Sequence, residues 1–216
     1  MILRCTRKLL VVMGLPVADP APAPNPEDWY ANLLWFDRRK CLLLTHSATL
    51  FTIFEANVTA SGLRATRQLV TGLIGRELRR ENMPAATFGD LEQEVLLAKT
   101  ADRSVLGCMN DMAFMCEHAI AGAGGLAHTN LAGLNRSLRR NINSARGYRP
   151  PIELAARHRV PMLTPQDSRR RPAFPREEGR GCCWPICHWS ESGPVRGGCR
   201  RGMTEAEKKT FRRKAR

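Results

Sequence analysis

The stretch "WYANLLWFDRRKCLLLTHSATLFTIFE", residues 29–55, decides the fold. Three apolar runs, 29–36, 41–45 and 49–54, are split by the short polar stretches DRRK and HSA. Hairpin connections have this length and polarity, so three strands in an antiparallel meander are predicted. Leu33 and Trp35 project to one face, Leu34 and Phe36 to the other. Strands that are apolar on both sides are covered on both sides. Helices are therefore expected on one face, and a helix or a partner chain on the other.

Working outward, "MILRC" alternates as a short strand does. Thr6 then precedes the helical run "RKLLVVM", which Gly14 stops. Prolines 16, 20, 22, 24 and 26 follow, and no helix or central strand survives that spacing. After the meander, Ser61 caps a predicted helix to about Glu81, with Leu63, Val70, Leu73, Ile74 and Leu78 on one stripe. "EVLLAKT", 94–100, reads as another strand. A helix capped by Thr100 or Asp102 carries Val105, Met109, Met112 and Cys116 as its buried stripe, and "AGAGG" ends it. A last helix, 130–143, turns Leu131, Leu134, Leu138 and Ile142 inward, with Arg136, Arg139 and Arg140 outward.

Beyond residue 156 the periodicity vanishes. Arg, Gly, Pro, Cys and Trp dominate, a composition that builds no core and predicts a disordered basic tail over 157–216. The same bias is what a read-through extension of a GC-rich gene produces. The final "TEAEKKTFRRKAR" suits a short basic helix. The chain carries a net charge of +14, of which +9 lies after residue 150. Basic charge in a tail attracts nucleic acid through counterion release without a folded reader. No run approaches the roughly 18 apolar residues of a membrane span. The N-terminal apolar run is short and prolines crowd Ala21-Pro22-Ala23, which argues against a cleaved signal. A cytoplasmic protein with no membrane partner is expected. Cys5, Cys41, Cys108 and Cys116, far apart in apolar settings, read as small buried hydrophobes.

Four segments taken together, "LRCTRKLL", "WYANLLWFDRRKCLLLTH", "TLFTIF" and "LAKTADRSVLGCMNDMAF", resemble an uncharacterised bacterial family designated only as a domain of unknown function. The resemblance runs over about residues 1–152, ending near "GYRPPIEL", and the tail departs from it. It implies a small α+β domain. It implies no activity, and it carries over no site residue.

Two sets of candidate site residues stand out. The first is a polar strip, Arg103, Ser104, Asn110 and Asp111, with Lys99 and Thr100 at the preceding strand-to-helix junction. Its structural reading is an Arg–Asp pair that fixes the helix against the sheet. Its functional reading is a ligand or partner contact in which Arg103 grips an anion. The second set is basic: Arg38 and Arg39 (with Lys40) at a hairpin tip, then Arg64, Arg67, Arg136, Arg139 and Arg140. His46, in a turn, and His118, late in a helix, read as solvated or capping residues.

No metal site or cofactor is expected. "GAGG" lacks a nucleotide-loop pattern. Cys183, Cys187, His188 and Cys199 are zinc-ligand types at loose spacing in the tail. The expected architecture is α+β: a mostly antiparallel sheet of four to five strands packed on three or four helices over residues 1–156, then the tail. The expected function is non-enzymatic binding, with a protein partner or a second copy. Nucleic-acid association through the arginines and tail ranks second, and an enzyme using Arg103 and Asp111 third.

Overall fold

The computed structural model describes residues 1–158. Five strands form one sheet: β1 (Ile2–Cys5), β2 (Trp29–Phe36), β3 (Arg39–His46), β4 (Thr52–Glu55) and β5 (Leu96–Lys99), in the order β4-β3-β2-β1-β5. The meander is present, with β2 antiparallel to β3 and β3 antiparallel to β4. The hairpin loop is tighter than DRRK suggests. Only Asp37 and Arg38 turn, at φ of 47° and 61°, the left-handed conformation of a two-residue hairpin. β1 then pairs parallel to both β2 and β5. A parallel neighbour needs a long crossover, and residues 6–28 supply it through a helix and the proline-rich strap.

Six α-helices complete the described residues: α1 (Arg7–Met13), α2 (Ala60–Arg64), α3 (Thr66–Arg80), α4 (Arg103–Gly122), α5 (Leu131–Arg140) and α6 (Pro151–Arg157). Three of them have ten residues or more, and the others are single short segments. The helix read from Ser61 to Glu81 is broken at Ala65, and Thr59 rather than Ser61 caps it by accepting from Gly62 N.

Both sheet faces are covered by the chain itself. Trp29, Ala31, Leu33, Leu42, Leu44 and Ile53 pack with residues of α1, α2, α3 and α6. Tyr30, Cys41, Leu43 and Phe54 pack with Val105, Met109, Met112 and Cys116 of α4 and with Leu134 and Leu138 of α5. The apolar-on-both-sides pattern of residues 29–55 thus has an intramolecular cause.

The strap is pinned by a buried ion pair. Arg4, on β1, pairs with Asp28 and donates from Nη2 to the carbonyls of Pro22 and Ala23, each at 2.8 Å. At the β4 edge of the sheet, Asn135 of α5 accepts from Phe54 N at 2.7 Å and donates to Phe54 O at 2.9 Å. One side-chain amide therefore satisfies the outer backbone groups of an edge strand.

Two expectations for α5 are corrected. Ile142 lies past the end of the helix and is exposed, because α5 stops at Arg140. Arg139 does not point outward. Its side chain is 1% exposed and donates to Glu77 Oε2 at 3.1 Å and to Glu81 Oε1 at 2.7 Å. The expectations for the tail, including disorder, the zinc-type ligands and the final helix, lie outside the described residues. No helix among the described residues is long and apolar enough to cross a membrane.

Candidate functional site

The polar strip lies on the solvent side of α4. Asp102 caps the helix through Oδ1, which accepts from Ser104 N at 2.7 Å and Val105 N at 3.3 Å. Helical periodicity then sets Arg103, Gly107, Asn110, Asp111, Phe114 and His118 opposite the buried stripe, and all six are exposed. Arg103 and Asp111 form no ion pair with each other, so the reading of this strip as a buried pair fixing the helix to the sheet is corrected. Lys99 ends β5 with its side chain exposed, and its carbonyl accepts from Arg4 Nη1 at 3.3 Å. Thr100 is half-buried beside it.

Large apolar side chains are exposed on the strip and on the segment after α5. Phe114 is 60% exposed, Ile142 57% and Tyr148 68%. The segment after α5 lies along α4: Asn141 Nδ2 meets Met115 Sδ at 3.1 Å, and Cys108 Sγ meets Asn143 Oδ1 at 3.5 Å. Tyr148 N donates to Asn143 O, which keeps Tyr148 in this neighbourhood.

The basic residues fall on four separate elements. Arg38 and Arg39 sit on the β2–β3 tip. Arg64 and Arg67 sit on α2 and α3, where Arg67 pairs with Glu92 at 3.5 Å. Arg136 is exposed on α5, Arg140 pairs with Glu81 at 2.7 Å, and Arg139 is buried. At the tip, Trp35 is exposed and Lys40 Nζ stands 4.9 Å from its ring centroid. The Asp37 carboxylate is turned away to accept from Leu126 N at 2.6 Å, and the tip cations form no salt bridge among the described residues.

A third cluster gathers where β2 begins and β3 ends. His46 is the last residue of β3, facing Trp29 across the ladder, and it is fully buried rather than solvated. Its ring lies among Trp29, Phe88 and His158 at centroid distances of 5.2, 4.5 and 5.0 Å. Nδ1 is 3.1 Å from Thr49 Oγ1, which itself accepts from Phe51 N at 3.1 Å. Nε2 has no hydrogen-bond partner among the described residues. It lies 3.8 Å from Glu27 Oε2, which is 2.9 Å from His158 Nε2.

Burial, with the charges of His158 and Arg146 adding to it, pushes the His46 imidazole down to about 3. The ring is therefore neutral at ordinary pH. Glu27 comes from the strap and His158 from the residue capping α6. The turn holding His46 is fixed by Ser47 N donating to Asp28 O, by Ala48 N donating to Pro26 O, and by Arg146 donating to the carbonyls of Ser47 and Ala48. Glu27, His46 and His158 place three ligand atoms within 4.8 Å of one another, the one such group among the described residues.

Sequence reading missed this cluster because its members are 19 and 112 residues apart and match no spacing motif. The available signal was local: the apolar run before His46 extends its strand by one residue and turns that residue inward. No curated protein and no solved structure matches this chain. Residues 2–154 match the family described as "Domain of unknown function (DUF6933)", and the chain belongs to that family.

Proposed function

We propose that this domain is a binding protein rather than a catalyst, and that its binding surface is the solvent side of α4. One observation carries the reading: a charged strip with a glycine at its middle and the exposed Phe114 on it, beside a segment after α5 that exposes Ile142 and Tyr148. Aromatic and apolar anchors inside a polar rim are the anatomy of a protein interface. The strip is also self-complementary. Two copies of α4 packed antiparallel about a two-fold axis at Gly107 set Arg103 opposite Asp111 and Ser104 opposite Asn110, twice over. A Cβ at Gly107 would meet nothing within 4 Å, so glycine there leaves room for a close approach from outside. A second copy of this chain is accordingly the partner the pattern fits.

The test is sedimentation equilibrium on the full chain and on R103D, D111R and the double swap. Facing like charges cost several kcal/mol, so each single variant should weaken self-association by at least about tenfold. The double swap should restore it. A chain that stays monomeric, or single variants that pair as before, would refute the reading.

A second reading rests on the hairpin tip. Trp35, Arg38, Arg39 and Lys40 combine a stacking ring with cations that form no salt bridge among the described residues, which suits single-stranded nucleic acid. Titrating labelled single-stranded RNA with the full chain at low and physiological salt, beside Trp35→Ala, decides it. Equal affinity for both proteins, falling alike with salt, would assign the binding to charge outside the tip.

A further inference from the structure

We propose that Glu27, His46 and His158 form a binding site for a divalent transition-metal ion of the zinc type. Neither the family description nor the proposed role of α4 assigns it. Two imidazoles and one carboxylate are a ligand set such ions take, and three protein ligands leave a fourth position open.

Two independent observations point to a ligand. The first is geometric convergence of three donor atoms drawn from three separate connections, the strap, the end of β3 and the end of α6. The second is the state of His46. A fully buried imidazole nitrogen without a hydrogen bond costs the fold its desolvation. The ligand atoms of Glu27 and His158 lie within 4.8 Å of it, so a cation between the three would satisfy the orphan.

The surroundings are arranged as they are around a metal-bound histidine. In the tautomer whose Nδ1–H donates to Thr49 Oγ1, His46 presents an Nε2 lone pair toward Glu27 and His158. Thr49 is itself fixed by Phe51 N, so the ring orientation is set by an outer partner. Trp29 and Phe88 wall one side and exclude water from the imidazoles. Glu27 is about one-third exposed, so the open position faces solvent on its side. Arg146 is the opposing charge. Its guanidinium donates to the Ser47 and Ala48 carbonyls, and Glu27 supplies the negative charge that offsets it.

Metal binding is tested on the full chain with Cys182, Cys183, Cys187 and Cys199 replaced by serine, which removes the tail thiols as competing ligands. Equilibrium dialysis against Zn²⁺ is expected to leave one equivalent bound. Co²⁺ in its place should give visible d–d absorption without thiolate charge transfer. Glu27→Gln and His158→Gln should each weaken retention by at least about tenfold, and Thr49→Val, which reaches the ion through the His46 ring and also strips the acceptor of Phe51 N, by about tenfold. Folding of each variant is checked by circular dichroism. Glu27→Gln and His158→Gln alter the less buried side of the site, so these two decide the outcome. No bound equivalent, or unchanged retention in both of these folded variants, would overturn the proposal. Neither result depends on whether α4 pairs, so the two proposals fail separately.

Discussion

Replacing Arg139 by Met tests the least expected feature of the core. Arg139 is a buried cation on an edge-packed helix. It donates to Glu81 Oε1 from Nε at 3.0 Å and from Nη2 at 2.7 Å, to Glu77 Oε2 at 3.1 Å and to Thr52 O at 3.5 Å. Removing one partner of a buried ionic network costs about 3–5 kcal/mol, because charges are left behind without compensation. Two facts set the size here. Glu77 keeps Arg76 at 3.0 Å and Arg80 at 2.6 Å, and Glu81 keeps Arg140 at 2.7 Å. Methionine also refills most of the arginine stem's volume.

The expected loss is therefore at the low end, about 3 kcal/mol, read as a lower urea midpoint at unchanged slope by far-UV circular dichroism. The pH profile adds an independent check. Burial alone would raise the Glu81 carboxyl, but hydrogen bonds from Arg140 and Arg139 hold it down to about 2, against an ordinary 4.5. A depressed carboxyl stabilises the fold above the ordinary value and loses that contribution as pH falls from 4.5 through about 2. The gap between wild type and R139M should narrow across that window. A loss below about 1 kcal/mol at neutral pH, or a gap that does not change with acid, would show that the network merely offsets its own desolvation.

Two further outcomes follow from single contacts. Asn135→Leu strips both hydrogen bonds from Phe54 on the β4 edge, and two buried backbone groups left unpaired should cost about 3 kcal/mol in the same urea titration. Gly107→Ala fills open space on an exposed helix face, so it should raise the stability of the monomeric chain by about 0.5–1 kcal/mol; a loss would mean that packing at Gly107 is internal.

The legible part of this fold is the part whose partners are close in sequence. Residues 29–55 announce two successive hairpins, although both loops differ in length from the polar stretches that mark them. The α4 stripe at 105, 109, 112 and 116 is equally local. The parallel pairings of β1 are not, since Leu3 meets Trp29 and Leu97, and nothing in a four-residue strand specifies neighbours 26 and 94 positions away. The broken helix at Ala65 was hidden for another reason. Its apolar stripe continues across the break, and only the Thr59 cap marks where the first piece begins.

Arg139 and His46 show the same limit from the side of polar residues. Helical periodicity assigns a residue to a face, but residue type then overrides it: an arginine beside Leu138 is read as turned outward. What turns Arg139 inward is a pair of carboxylates on and just after α3, 62 and 58 residues away, which make its burial tolerable. His46 is turned inward by strand alternation alone, and its Nε2 is left unmatched by any hydrogen bond among the described residues. A buried cation with its partners is what a stable core requires. A buried imidazole nitrogen without one is what a core avoids unless something else occupies the position. That asymmetry separates the two sites: the Arg139 network explains itself by packing, whereas the His46 cluster calls for a ligand.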